Sequence, residues 1–366
     1  MSEPSRAVLL VAERLGVHDD GSSIRTFLDR LEALGLTPQV ICLEAAGDAA
    51  SEVRVVASPG LAHRWRQPLS VRGLRFGERL NRPDLLHVLR SSMSGAGLAI
   101  AEHWGIPYVQ TIDEFVPPEE RIRLSRRWCR RLVASGHELA EDLRTQLRVP
   151  HELVAEINPG IEAPETEAPR LADGRVAVIG SAGPLIAASG FATFLGAARK
   201  VIDAGVDAEF VIAGQGEDEV DLRRRADRLK IADRVTFAGI PVVGLRFWDV
   251  LDLFCQPTLV PSVGRTLATA LAFGVPAIAS DIAGLRSLVT HDVNGLCVPP
   301  GDSSSLARAI LSLLADPSRA ADLGRRGREL ILRDYRPEAE ANKLAAIYTE
   351  ALSEPPPKAC LRPILA

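Results

Sequence analysis

The sequence predicts an α/β protein made of two doubly wound parallel-sheet domains joined by a linker. Short apolar runs of strand length alternate with amphipathic helical stretches along the 366 residues, the βαβ rhythm of a parallel sheet covered by helices. The rhythm is interrupted at Asn158 to Asp173 (NPGIEAPETEAPRLAD), which is rich in Pro, Glu and Ala, and then restarts. A chain of 366 residues is also too long for one small core and suits two domains of ordinary size.

The first domain opens with a buried-strand run, Ala7 to Ala12, then a polar turn over residues 18–23. An amphipathic helix follows, with Ile24, Phe27, Leu28, Leu31 and Leu34 at helical spacing and Gly35 at its end. Further strands are expected at Val40–Leu43, Leu85–Val88, Pro107–Thr111 and Arg131–Ala134. In the second domain strands are expected at Val176–Ile179, Glu209–Ile212, Arg234–Phe237, Leu253–Gln256, Pro276–Ser280 and Gly295–Val298. Three helices finish the chain, Ser304–Ala315, Ser318–Asp334 and Glu338–Leu352, with Asp302 and Ser303 suited to cap the first. The expected division is 1–165 for the first domain and 166–336 for the second. A C-terminal helix over 337–352 would pack back on the first domain, and 353–366 would be a loose tail. Such a pair places ligands in the cleft between the domains, at the carboxyl ends of the strands.

Composition narrows the function. Hydrophobic residues make up 46% and charged residues 25%, as in a folded globular protein, and the net charge of −4 favours no particular partner. The five cysteines are scattered without a CxxC pair or a Cys/His cluster, so no metal site is expected and a reducing cytoplasm fits. The N-terminus has too short an apolar run for a signal peptide, and no run is long enough to span a membrane. No nucleic-acid module is present, and none is expected to bind.

Two glycine-containing turns have the form of ligand loops and almost no charge. Val176 to Ala198 (VAVIGSAGPLIAASGFATFLGAA) has none, and Gln256 to Ser280 (QPTLVPSVGRTLATALAFGVPAIAS) has only Arg265. These segments, with AEFVIAGQGEDEVDLRRRADRLKIADRVTFAGI, NGLCVPPGD and the strand ends RPDLLHV, GIPYVQTIDE, VASGHELAEDL and INPGIE, resemble the family-4 retaining glycosyltransferases of GT-B fold. The resemblance covers nearly the whole chain and implies two Rossmann-like domains facing across a cleft. It further implies a nucleotide-sugar donor, a glycan or lipid-linked acceptor, and no metal or other cofactor.

Against the family pattern, the chain has lost its charged donor contacts. The paired glutamates, with seven residues between them, fall on Pro261 and Thr269, and a further glutamate falls on Ser287. In the turn Gly183 to Gly190 the arginine is Pro184 and the lysine is Ser189. The family histidine aligns with Asp113, the one candidate left for a catalytic role. A departing diphosphate develops negative charge, and losing one preorganised donor costs roughly 10²–10³ in rate. The resemblance therefore marks Gly21, Ser22, Gly183, Pro184, Ser189, Pro261, Gly264, Arg265, Thr266 and Thr269 as donor-site positions of reduced capacity. Gly264 to Thr266 and Gly21 to Ser23 should still open helices whose free N–H groups favour a phosphate. Arg265 either points inward or is a solvated helix residue.

Other features weigh less. Gly214-Gln215-Gly216 is followed by Glu217, Asp218 and Glu219, which suits a structural turn better than a pyrophosphate site. His87 reads as a satisfied core histidine, and His137 as a secondary acceptor-side candidate. Arginines cluster over residues 61–82 and again at Arg121, Arg123, Arg126, Arg127, Arg130 and Arg131, with Leu124 and Trp128 at helical spacing. The second cluster reads as an amphipathic segment for an anionic membrane or partner, at the inner face of the cell membrane, or as a solvated basic face. The functional expectation is a glycosyltransferase-like protein of surface polysaccharide or glycan assembly. It either serves an active transferase as a non-catalytic partner or is itself an active, divergent, metal-independent retaining transferase.

Overall fold

The computed structural model describes residues 6–15, 21–45, 55–63, 66–74, 80–117, 122–125, 127–165, 176–239 and 246–353. The chain divides into two compact units, residues 1–160 with 337–366, and residues 161–336. The crossing lies between Gly160 and Ile161, a few residues before the expected boundary.

Unit 1 is a parallel sheet with strand order β3-β2-β1-β4-β5-β6-β7. Its strands are β1 (Arg6–Leu15), β2 (Leu36–Ala45), β3 (Val55–Ala57), β4 (Leu85–Val88), β5 (Tyr108–Ile112), β6 (Cys129–Ser135) and β7 (Val154–Ile157). Val8 to Val11 are fully buried on both faces, which is why β1 is a continuous apolar run and not an alternation. The sequence pattern misses β3 and β7, the two edge strands. β3 has three residues, and Glu156 interrupts the apolar pattern of β7.

Helix α1 (Gly21–Ala33) buries Leu28 and Leu31 against this sheet. The last helix, α11 (Pro337–Ser353), adds Leu344, Ile347, Tyr348 and Ala351 to the same core. Each large apolar side chain buried there contributes roughly 1.5–3 kcal/mol. Polar ties fix its register: Glu340 accepts the Gly160 N–H at 2.8 Å, and Arg30 pairs with Glu338 at 3.1 Å.

Unit 2 is a second parallel sheet, ordered β10-β9-β8-β11-β12-β13. Its strands are β8 (Ala177–Ala182), β9 (Ala208–Ala213), β10 (Val235–Phe237), β11 (Leu253–Gln256), β12 (Ala277–Ser280) and β13 (Leu296–Val298). One face packs on Phe191, Phe194 and Leu195 of α5 (Phe191–Asp203), and the other on Leu267 and Leu271 of α8 (Arg265–Ala272). Asp302 caps α9 (Ser303–Ala315) by accepting from the N–H groups of Ser304 and Ser305 at 2.9 and 3.0 Å. In each unit the strand order reverses beside the first strand, between β1 and β4 and between β8 and β11. These reversals are where a doubly wound sheet opens to a ligand.

Candidate functional site

At the unit 2 reversal, β8 runs into the turn Gly183 to Gly190 and β11 into the loop that precedes α8. Backbone bonds knit the two loops to each other and to the turn after β9. Gly183 donates to the Ala213 carbonyl at 2.9 Å, Leu185 to that of Gln215 at 2.9 Å, and Leu259 to that of Ala188 at 2.8 Å. Gly190 has φ +75°, and a Cβ there would lie 1.9 Å from the Pro257 carbonyl oxygen, so only glycine fits. Gly214-Gln215-Gly216 serves the same scaffold, and Glu219 on the first turn of the following helix pairs with Arg223 at 2.9 Å.

The expected donor-site positions are brought to this end of unit 2, and their side chains offer little to an anion. Pro184 and Pro261 are exposed. Ser189 is buried, and its hydroxyl donates to the Pro184 carbonyl at 2.6 Å. The Thr269 hydroxyl donates to the Arg265 carbonyl at 3.0 Å, and that of Ser287 to the Gly284 carbonyl at 2.6 Å. Ile186, Leu259 and Val260 make the neighbouring surface apolar. What remains is backbone: α8 begins at Arg265 behind Gly264, which has φ +69° and supplies no side-chain cap. A Cβ at Gly264 would lie 2.7 Å from Leu285 and Leu288. α8 thus starts without a side-chain cap, with Arg265 exposed at its first position and Thr266 half-buried. In unit 1, α1 begins at Gly21 as expected of a helix start, and the side chains of Gly21 to Arg25, Ser22 included, lie outside the described residues.

Unit 1 treats its expected residues differently. Asp113 lies just past β5, buried, with Oδ1 accepting the Ser91 N–H at 2.9 Å and Oδ2 the Arg90 Nη1 at 3.3 Å. Asp113, the expected catalytic candidate, is thus anchored by one contact at each carboxylate oxygen. His87 is a core residue whose Nδ1 lies 2.6 Å from the Tyr348 hydroxyl and whose Nε2 lies 2.8 Å from Thr111 Oγ1. Burial lowers its pKa to about 3, so the ring is neutral and bonded on both nitrogens. His137 opens α4 (His137–Thr145) on the surface, 3.0 Å from Glu156, which raises its pKa.

The basic segment is not an amphipathic helix among its described residues. Arg121 and Arg126 lie outside them, as do Arg64, Arg75 and Arg79 of the earlier cluster. Arg130 and Arg131 are on β6, where successive side chains point to opposite faces. Arg130 is buried and donates to the Arg127 carbonyl at 2.9 Å, while Arg131 pairs with Glu350 at 3.7 Å. Trp128 is half-buried under the Arg127 guanidinium, 4.9 Å from its ring centre. Arg123 and Arg127 are the patch residues left exposed among those described.

Sequence reasoning missed Arg90 and Glu13. The available signal was position, since Arg90 follows the β4 run closely and Glu13 ends the apolar run of β1. Among the described residues no group of three His, Cys, Asp or Glu is arranged to hold a metal ion, and no helix is long and apolar enough to cross a membrane.

Comparison with known proteins agrees with this architecture. The family described as Glycosyltransferase Family 4 matches residues 21–163, and the family described as Glycosyl transferases group 1 matches residues 176–316. The chain is similar to N-acetyl-alpha-D-glucosaminyl L-malate synthase of Bacillus anthracis, 28% identical over 149 residues, which is 41% of this chain and spans 39% of that relative's length. It is 27% identical to D-inositol 3-phosphate glycosyltransferase of Thermobispora bispora across 94% of this chain and 89% of that protein. Among solved structures, HepE of Anabaena in complex with UDP and glucose matches with a TM-score of 0.75 and 15% identity, over 93% of this chain and 99% of that one. Sucrose-phosphate synthase of Thermosynechococcus elongatus matches with a TM-score of 0.73 and 17% identity, over 94% and 98%.

Proposed function

The chain belongs to the family-4 glycosyltransferases of GT-B fold, and from that premise we propose that it works in surface polysaccharide or glycan assembly as a non-catalytic member. It binds a glycan-type ligand and partners an active transferase. One observation carries the reading. The positions where family members hold the donor's charges are Pro184, Ser189, Pro261 and Thr269, and both hydroxyls among them are already bonded to backbone carbonyls. Proline offers no donor or charge. A hydroxyl committed to a carbonyl cannot also donate to a diphosphate, and among the described residues of these loops Arg265 is the one cation beside the expected donor positions. Two such losses acting independently lower the rate by about 10⁴ or more, and non-additivity makes the combined cost smaller.

The second reading, a divergent and metal-independent retaining transferase moving sugar from a nucleotide-sugar to a glycan or lipid-linked acceptor, is favoured by the uncapped start of α8 with Arg265 beside it. Helix-terminus contacts contribute about 0.3–1 kcal/mol each when exposed, too little to replace two cations.

Calorimetry against UDP-, GDP- and ADP-sugars separates the two. Pro184 and Pro261 are exposed, so Pro184→Arg with Pro261→Glu restores charge without burying it. Ser189→Lys would place an ammonium in a buried position and is left out. The double variant should bind at least one nucleotide-sugar about 150-fold or more tightly than the natural chain, from two charge-assisted contacts of about 1.5–3 kcal/mol each. Sugar transfer by the natural chain at ordinary enzymatic rates would refute the non-catalytic reading.

A further inference from the structure

One edge of the unit 2 sheet is covered by a side chain that can take up a proton. β13 ends the strand order and pairs on one side with β12, through Ile278–Leu296, Ala279–Cys297 and Ser280–Val298. The Cys297 N–H is not spent on that ladder. It donates to Nδ1 of His291 at 3.0 Å. His291 lies in the loop that leads into β13, so the strand is capped by its own approach segment. A free edge amide is a template for strand pairing, and native sheets cover such groups.

This bond fixes the state of the ring. A nitrogen that accepts carries no proton, so the imidazole is neutral with its one proton on Nε2, 3.3 Å from Asp292 Oδ2. A proton added at Nδ1 would set two donors against each other, and the bond to Cys297 would be lost. Imidazole is the side chain suited to such a change between pH 5 and pH 8.

The rest of the loop is fastened by groups that do not change charge in that range. Asn294 is buried, with Oδ1 accepting the Thr290 N–H at 2.7 Å and Nδ2 donating to the Leu288 carbonyl at 2.8 Å. The Asp292 N–H donates to the Gly295 carbonyl at 2.9 Å. From α10 (Pro317–Asp334), Arg326 donates to the Val293 carbonyl at 3.5 Å, and Arg319 holds the other carboxylate oxygen of Asp292. Asp281, past the end of β12, pairs with Arg286 at 2.6 Å, and both act on the Cys297 thiol. Burial first, and then Asp281, push that thiol up, so it stays neutral and adds no charge. Two opposed influences are left on the ring. Asp292 favours its protonated form, and the Cys297 N–H excludes that form from its present place. Protonation therefore moves the ring off the strand while the loop stays fastened.

We propose that His291 is a pH-sensitive latch on the β13 edge: unprotonated it covers the Cys297 N–H, and protonated it releases that group and leaves the edge open. The inference goes beyond the proposed function and does not depend on it.

The test is residue-resolved amide hydrogen exchange on the full chain at pH 8 and pH 5, with each rate divided into its intrinsic rate at the same pH. Protection of the Cys297 amide should fall about fivefold between the two, the weight of one hydrogen bond. His291→Asn keeps an acceptor near the place of Nδ1 without taking a proton, and should hold the high protection at both values. His291→Phe keeps a ring without an acceptor and should show the low protection at both. Asp292→Asn removes the carboxylate that favours the charged ring and should move the fall to lower pH. Comparison with His291→Asn at each pH cancels any loss of global stability, including that expected from His87. Equal protection at pH 8 and pH 5 in the natural chain, or an equal fall in His291→Asn, overturns the inference.

Discussion

The two units share a doubly wound plan and open at equivalent strand reversals, yet they build those openings from different materials. Unit 2 uses backbone: glycines, peptide hydrogen bonds and a helix start hold the loops, and the expected donor positions carry Pro184, Ser189, Pro261 and Thr269 beside Arg265. Unit 1 uses side chains: Glu13, Arg90, Ser91 and Asp113 at the opening, with the buried His87, Thr111 and Tyr348 network among the strands below. A loop built from backbone keeps its shape when its charged residues are exchanged, because peptide bonds do not depend on side-chain identity. An opening wired through side chains loses geometry with each substitution. The unit 2 loops therefore keep their shape whatever charge their side chains carry.

The sharpest way to break this contrast is to attack the backbone. Gly190→Ala introduces a left-handed alanine and a Cβ against the Pro257 carbonyl oxygen. It should destabilise the protein by about 2–4 kcal/mol, read by denaturant titration, and a cost under about 0.5 kcal/mol would show that the loop is not backbone-locked.

The unit 1 network responds next, and it responds to acid. His87 has a folded pKa of about 3 and an unfolded pKa near 6.5, so between these values the unfolded chain binds a proton that the folded one refuses. Its contribution is fully present above the unfolded pKa and is lost as pH falls, by up to roughly 1.4 kcal/mol per pH unit. Thermal melts from pH 7 to pH 4 should show this fall, and His87→Gln should flatten it. Tyr348→Phe removes one of the ring's two partners and should cost about 1–3 kcal/mol near neutral pH. The smallest effect is expected at the helix start of unit 2. Arg265→Ala on the Pro184→Arg, Pro261→Glu background should weaken nucleotide-sugar binding less than about fivefold. A larger loss would show that Arg265 has taken over the donor-site charge.

Much of the fold was legible because each internal strand is a local apolar run. The two edges of the unit 1 sheet escaped for a local reason as well: β3 is short, and β7 contains Glu156. The charge loss around Gly183 to Gly190 and Pro261 to Thr269 was equally legible, since residue identity at a motif position needs no coordinates. The basic segment misled, because helical spacing in the sequence of Leu124 and Trp128 says nothing about β6 pairing, which puts Arg130 in the interior and turns Arg131 to Glu350.

By itself, then, the sequence determined two α/β units and two glycine-containing loop segments with Arg265 as their single charged residue, properties carried by periodicity and residue type over short stretches. Only the tertiary structure decided that the Ser189 and Thr269 hydroxyls are already committed, that Tyr348 reaches His87 from 261 residues away, and that Asp113 holds Arg90. Those facts depend on which strands become neighbours and on which partner each side chain meets, and neither is encoded within any single stretch of the chain.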